Sequence, residues 1–401
     1  MATRLGPTRR LEQAADQTWD VIVVGAGPAG ALAARESARQ GVSVLLVDKA
    51  VFPRRKICGC CVNAAALATL RAVGLGELAT QLGAKPLDEL WLASGRWRAS
   101  IPLPGSVAVS REAFDAALVE QAVLAGADFL PHTLVTLGIG EGPTRRLRLC
   151  DGQQQVSVEA RVVLAADGLS GRLLQHERAF GSSVAHDSRV GIGTMVNDPP
   201  RFYRSGTIFM VSEAGGYVGL VRLEDGRLNV AAALDPSFVR DSGGPGTAVA
   251  MILEQADLPP MVELVALPWL GTPPFTRHRP RLSAHRLFVL GDTAGYVEPF
   301  TGEGIAWALA SGVAVMPLAL KAVRHWTPML TSHWMALHRR LLGRRYATCR
   351  VVTRLLRRVA LTRAAVNVLS QAPGLAAPLV RYLNRPFPIA RHVSEPECAT
   401  S

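Results

Sequence analysis

Apolar and polar positions alternate with three different rhythms along this chain, and each predicts a different kind of element. "DVIVVG" (Asp20 to Gly25) and "VSVLLVDK" (Val42 to Lys49) are uninterrupted β-branched runs, as expected of strands buried on both faces of a parallel sheet. Between them "PAGALAARESARQG" predicts a helix with Pro28 in its first turn and Gly41 as its stop. A helix is predicted near Asn63 to Val73. Another is predicted over Ser110 to Leu130, with Phe114, Leu118 and Ala122 on one face. "RVVLAADG" (Arg161 to Gly168) and "RLFVLGD" (Arg286 to Asp292) predict further buried strands ending in an acid.

From 189 to 275 the period falls to two. "RVGIGTMV", "GTIFMV", "GGYVGLVRLEDGRLNVAAAL" and "VELVAL" predict sheet strands, with Asp225-Gly226 as a hairpin turn. Beyond 330 the helical period returns. Trp334, Leu337, Leu341, Thr348, Val352, Leu355 and Val359 share one face, and Arg339, Arg350 and Arg357 lie opposite. The resulting fold class is α/β: a Rossmann-like dinucleotide-binding domain interrupted by a β-sheet substrate domain and followed by a C-terminal helical region. The divisions are 18–80, 110–185 and 281–330 for the nucleotide-binding part, 81–109 and 186–280 for the substrate sheet, and 331–395 for the basic tail.

Composition narrows this only modestly. With 401 residues, 49% hydrophobic and 19% charged, the chain is globular. Its net charge of +12 is local: residues 321 to 391 hold 14 Lys and Arg and no Asp or Glu, leaving 30 basic against 32 acidic residues elsewhere. A basic amphipathic tail fits either packing on the nucleotide domain or peripheral contact with an anionic membrane. Nucleic acid is not expected as a partner, because no aromatic platforms interleave the arginines. The uncharged stretch from Gly304 to Leu320 is broken by Ser311, Gly312 and Pro317, which predicts a buried helix in preference to a membrane span. No secretory signal is apparent, and six cysteines with three bunched at 58, 60 and 61 do not form a disulfide framework, so a reducing cytoplasm is expected.

The first chemistry-bearing motif is the turn between the first strand and helix, where Gly25, Gly27 and Gly30 stand at GxGxxG spacing with Pro28 and Ala29 between them. Glycines there let the backbone approach a diphosphate, whose charge rests on the amides of the helix N-terminus. Asp48, 23 residues after the first glycine and followed by Lys49, is placed to accept ribose hydroxyls, which favours FAD or NAD over NADP. The second motif is "GDTAGYVEPFTGEGIAWAL" (Gly291 to Leu309). Asp292 at a strand end can bind a ribityl hydroxyl. Pro299 then leads into Gly302-Glu303-Gly304-Ile305 and a helix start whose amides can stabilise charge on a reduced flavin.

"FPRRKICG", "SREAFDAAL", "AADGLSGR" and "PFTGEGI" occur in order along residues 18 to 325. Together they resemble the geranylgeranyl-reductase and flavoprotein-dehydrogenase branch of the group A FAD-dependent monooxygenase superfamily, with its glutathione-reductase-type FAD fold. That resemblance implies FAD as cofactor, Arg111 and Asp167 at the FAD, Val135 near the adenine, and Lys56 and Cys58 beside the flavin ring. Cys60, Cys61 and Lys56 are also consistent with small fillers and a solvated ammonium, and Cys58 is the candidate catalytic residue. No metal site is expected. His278 and His285 are weaker acid–base candidates.

The chain departs from the family pattern in places. "DGLSGR" brings Ser170 and Arg172 nearer Asp167 than the family spacing does, and no second dinucleotide turn is evident. NAD(P)H as a transient donor and an electron-donor protein therefore both stay open. An aromatic YxWxFP pattern is not apparent, Tyr217 standing instead in "GGYVGLV", and a halogenase WxWxIP signature is missing. The expected function is hydride transfer at FAD to or from a small hydrophobic or aromatic substrate, such as an isoprenoid, quinone or polyketide. The alternative is hydroxylation of an aromatic or phenolic ring through a C4a-peroxyflavin.

Overall fold

The computed structural model describes residues 4–138, 142–298 and 300–388; Pro299 and the end of the tail from 389 lie outside them. The first strand, Thr18–Val24, lies in the middle of an eight-stranded sheet and pairs in parallel with Val44–Val47 on one side and Gln155–Ala165 on the other. Asp128–Leu130 and Leu287–Val289 extend the parallel order at either end. These β-branched runs are buried, and Pro28–Ala38, packed between Arg111–Leu124 and Gly304–Ala314, forms a layer of mostly buried helices with them. Trp19, Phe114, Phe129 and Phe288 are fully buried in the core so formed.

A second sheet joins Lys85–Ser94 and Trp97–Ala108 to the five later strands Val190–Val196, Thr207–Glu213, Gly216–Arg222, Leu228–Leu234 and Leu270–Pro274. The hairpin at Asp225-Gly226 forms as expected, closed by the Leu223 amide on Arg227 O at 2.9 Å. On one face this sheet packs a separate core around Phe209, Val211, Val218 and Leu220, capped by helix Pro245–Glu254.

Three expectations are corrected. The helix predicted over Ser110 to Leu130 stops at Leu124, and Asp128–Leu130 is an edge strand of the nucleotide sheet. Gly126, with φ +102°, lets the chain turn there. "VELVAL" is a single helical turn, Val262–Val265, whose Val262 and Val265 are exposed and whose Leu264 is buried under Gly246. In the tail, helix Met329–Leu356 buries Leu330, Trp334, His338, Leu341, Leu342, Arg345, Cys349, Thr353 and Leu356. The inward face therefore falls on Cys349, Thr353 and Leu356, not on Thr348, Val352 and Leu355. A straight helix of 3.6 residues per turn drifts off a strict seven-residue repeat.

The stretch Gly304–Arg324 is long and apolar enough to cross a membrane by composition, yet it is mostly buried inside the protein, as its broken pattern predicted.

Candidate functional site

A cavity of about 620 Å³ runs from the glycine turn to the second sheet. The turn makes the cavity's nucleotide end. Gly25 has φ +104°, and a Cβ on it would lie 2.3 Å from Ala166 O; one on Gly30 would lie 1.8 Å from Gly25 O. Only glycine fits either place, and the bare backbone is what leaves the start of helix Pro28–Ala38 open to the cavity. Gly27 precedes that helix with Pro28 in its first turn, and Ala29 lines the wall.

Asp48 sits at the end of the second strand, as expected, but its carboxylate also organises the loop. Oδ2 accepts the Ala26 amide at 2.7 Å and Oδ1 the Ala50 amide at 2.8 Å, leaving each oxygen further acceptor capacity. Lys49, exposed, and Val135, half-buried, line the same end. Arg54, not singled out in the sequence, lies over the turn. Its guanidinium reaches Asp115 at 3.2 Å and Asp48 at 4.0 Å, its buried Nε has no partner among the described residues, and it would meet a Cβ on Gly27 at 3.5 Å. A guanidinium whose buried Nε is still without a partner, beside a turn that only glycine can make, fits a diphosphate bound there.

At mid-cavity the sequence candidates converge. Arg111 holds Asp115 bidentately at 2.7 Å for both bonds and stands beside Cys58. Burial opposes the Arg111 charge, but Asp115 and Cys58 outweigh it and raise its pKa. The hydrogen bond from the Cys60 thiol, helped by Arg111, pulls Cys58 down to about 6 against the opposing effect of burial. Cys60, fully buried, is pushed well up, and Cys61 is pushed up by burial to about 12. Cys60 is thus a small core residue next to Cys58, whereas Cys61 is half-buried and lines the cavity.

Lys56 is not a solvated ammonium: it is half-buried against the cavity, and burial lowers its pKa while Asp292 opposes that. Burial raises the Asp292 carboxyl, with Lys56 and Arg111 opposing; no side-chain donor reaches it among the described residues. Asp167 accepts Leu173 N at 2.9 Å and Thr293 Oγ1 at 3.2 Å, so it ties two loops together at the cavity edge.

The far end is built on the second glycine motif. Gly291 has φ +55° and packs on Ala29; Gly302 has φ +68°. A Cβ on Gly304 would come 2.8 Å from the Tyr296 hydroxyl. Ile305 follows in the first turn of helix Gly304–Ala314 and lines the wall. Glu303, fully buried, precedes that turn and pairs with Arg345 of the long helix at 2.6 Å; burial raises its pKa while Arg345 opposes. Arg345 also donates to the carbonyls of Leu383 and Arg385 and lies over the rings of Tyr382 and Phe387.

Opposite, the second sheet contributes Met210, Tyr217, Gly219 and Ala231 to Ala233, with Phe275 and Tyr296 beside them. Tyr217 is 5% exposed, edge-on to Phe300 at 5.1 Å, and its hydroxyl has no partner among the described residues. Asn229 Nδ2 donates to Cys58 O at 2.9 Å and fastens the cysteine loop to this sheet.

His278 is exposed outside the cavity, and His285 meets Gly142 O at 2.8 Å and the edge of Trp326, a structural position. Arg357, expected on the solvent side of the tail, turns inward to buried Glu298 at 3.0 Å; Glu298 in turn holds Arg189 at 3.2 Å. No cluster of potential metal ligands occurs among the described residues.

An FAD binding domain family model matches residues 18–216. The chain is 30% identical over 335 residues to digeranylgeranylglycerophospholipid reductase 1 of Methanopyrus kandleri, covering 76% of this chain and 81% of that protein. It is 29% identical to menaquinone reductase of Mycobacterium tuberculosis, covering 74% and 75% respectively. Among solved structures, the flavin-dependent brominase Bmp2 superposes with a TM-score of 0.76 at 16% identity over 92% of this chain and 94% of that one, a likeness of fold.

Proposed function

The chain belongs to the geranylgeranyl-reductase-like branch of the group A FAD-dependent flavoproteins and is an FAD-dependent oxidoreductase, and from that premise we propose that it reduces double bonds of an isoprenoid or quinone substrate. The observation that carries this reading is the composition of the cavity's second half. Its walls are Met210, Tyr217, Phe275, Tyr296 and a run of alanines, a surface for a hydrophobic chain or ring, and they stand directly across from the Cys58 loop. The relatives named for digeranylgeranyl phospholipid and menaquinone reduction support the same class.

In this reading residues 18–80, 110–185 and 281–330 hold the cofactor and 81–109 with 186–280 hold the substrate. Gly25, Gly27 and Gly30 receive the diphosphate with Arg54 as counter-charge. Asp48 and Asp292 accept the ribose and ribityl hydroxyls. The amides at Gly302 to Ile305 would hold the flavin end of FAD and could stabilise negative charge on it when reduced. FAD supplies the hydride. Cys58 lines the cavity beside Cys60 and Arg111 and is the proposed donor of the proton that completes the reduction. Electrons are proposed to arrive from a nicotinamide or redox protein that visits transiently. The basic helical region, which exposes Val351, Leu355, Leu361, Val368, Leu375 and Leu379 among its arginines, is proposed to rest on an anionic membrane.

The test is a single turnover without oxygen. Holoenzyme reduced with dithionite is mixed with menaquinone or a geranylgeranyl phospholipid, and the flavin spectrum and product mass are followed. Flavin reoxidation with a product heavier by a hydrogen pair is expected. No reoxidation until oxygen is admitted, and then one oxygen atom added to the product, would replace reduction by hydroxylation. Inertness toward both compounds would overturn the substrate class.

A further inference from the structure

A second hollow, of about 250 Å³, lies behind the flavin cavity. It opens between the short antiparallel ladder Ser183–Val184, Arg277–His278, Gly295–Tyr296 and the end of the long helix. Phe275 and Tyr296 face the flavin side of this wall, and Thr276 to His278 and Val297 face the hollow. The two spaces share a wall and no lining residue.

The charge of the hollow is one-sided. Arg277, Arg350, Arg354 and Arg357 surround it with His278, against one lining carboxylate, Asp187. Arg350, Arg354 and Arg357 follow at i, i+4 and i+7 on one stripe of the helix and its C-cap, a spacing at which like charges repel. Arg357 is compensated, at 3.4 Å from Asp187, 3.6 Å from Asp235 and 3.0 Å from Glu298. The others are not. Arg277 spends its Nε on Pro274 O at 3.0 Å, and burial alone shifts its pKa, downward, with no carboxylate opposing. Arg350 and Arg354 form no ion pair and no side-chain hydrogen bond among the described residues. Three guanidinium groups with unused donors therefore line one open hollow, Arg277 and Arg350 half-buried and Arg354 exposed at its rim, while Arg339 and Arg340 of the same helix are exposed and line no hollow.

We propose that this hollow is a binding site for a phosphoryl group. Guanidinium forks match phosphate oxygens in pairs, and a bridging anion relieves the repulsion along the stripe. The Ser183 and Thr276 hydroxyls stand in the wall as neutral donors. Either an anionic lipid headgroup or a soluble diphosphate supplies the chemistry. Val351 and Leu355, 56% and 52% exposed on either side of Arg354, give a lipid chain a surface to lie on.

The site is tested by binding, independently of flavin turnover. FAD-loaded protein is titrated with inorganic pyrophosphate by calorimetry, and co-sedimented with phosphatidylglycerol and with phosphatidylcholine vesicles. Three variants are compared with the native chain: Arg350→Gln/Arg354→Gln, Arg339→Gln/Arg340→Gln with the same loss of charge, and Asp187→Asn. Saturable pyrophosphate binding is expected, weakened about tenfold or more in the first variant, unchanged in the second and tightened in the third.

If pyrophosphate also releases the protein from phosphatidylglycerol vesicles, the phosphoryl group is a lipid headgroup. If the protein binds pyrophosphate and ignores vesicles, it is a soluble diphosphate. No pyrophosphate binding, or equal weakening in both double variants, overturns the site. Retained flavin absorbance and an unchanged melting temperature identify a folded Arg350→Gln/Arg354→Gln protein. The tightening by Asp187→Asn cannot arise from misfolding.

Discussion

At the scale of single residues, the cofactor end of the cavity is governed by what cannot carry a side chain. Gly30→Ala puts a methyl 1.8 Å from the Gly25 carbonyl, so the diphosphate turn must open. Backbone strain of this kind costs about 1–3 kcal/mol, and FAD affinity should fall roughly ten- to hundredfold. The protein would purify pale, and the ratio of flavin to protein absorbance measures it; a fully yellow Gly30→Ala protein would remove the turn from the FAD site. Cys58 gives a second prediction. Its thiol loses the proton at unusually low pH because Cys60 donates to it and Arg111 stands beside it. Alkylation of Cys58 by iodoacetamide should therefore rise with pH about a midpoint near 6. In Cys60→Ala the midpoint should move upward, because the donor is gone; an unmoved midpoint would assign the effect elsewhere. The glycines, Asp48, Asp292 and Cys58 were legible in the sequence because each belongs to a short motif with its own spacing. Arg54 and Asp115 were not, although both lie inside quoted motifs: their roles come from a meeting between segments about 60 residues apart.

Elements repeat the lesson over longer spans. The two strand–glycine–helix units and the hairpin read directly from period and turn chemistry. The long helix read correctly as a helix and incorrectly in its second half, since drift of the buried stripe changes which arginines face inward. Arg345 is the consequence. It is buried opposite Glu303 and gathers the carbonyls of Leu383 and Arg385, so it links the start of helix Gly304–Ala314 to the end of the described tail. Arg345→Met leaves a buried carboxylate alone, which costs about 3–5 kcal/mol. Burial already raises the Glu303 pKa, and loss of Arg345 removes the largest influence that opposes it. A folded pKa above the unfolded one means that stability is lost as pH rises through the interval between them. The melting-temperature deficit of Arg345→Met should accordingly widen from acidic to neutral pH. Glu303→Gln combined with Arg345→Met should narrow it. A pH-independent deficit would show that packing of the Arg345 stem, not the carboxylate, matters.

At the scale of the molecule, two hydrophobic cores meet across one cavity. One surrounds Trp19, Phe114 and Phe288, the other Phe209 and Leu220, and the cofactor cavity draws its walls from both sides. A ligand that touches both and binds only the folded state stabilises by RT ln(1 + [L]/Kd), about 2.7 kcal/mol at a hundredfold excess over Kd. Removing FAD should therefore lower the melting temperature of the chain as a whole, and re-addition should restore it in a concentration-dependent way. Limited proteolysis locates the coupling: without FAD, cleavage should increase both in the Arg54 to Cys61 loop, which leaves the first sheet, and around Thr272 to Phe275 at the edge of the second, since both line the cavity. Protection by FAD confined to the first loop would mean that the cofactor stabilises the nucleotide side alone. The substrate sheet would then depend on its own core and on the Asn229 bond to Cys58 for its place over the flavin.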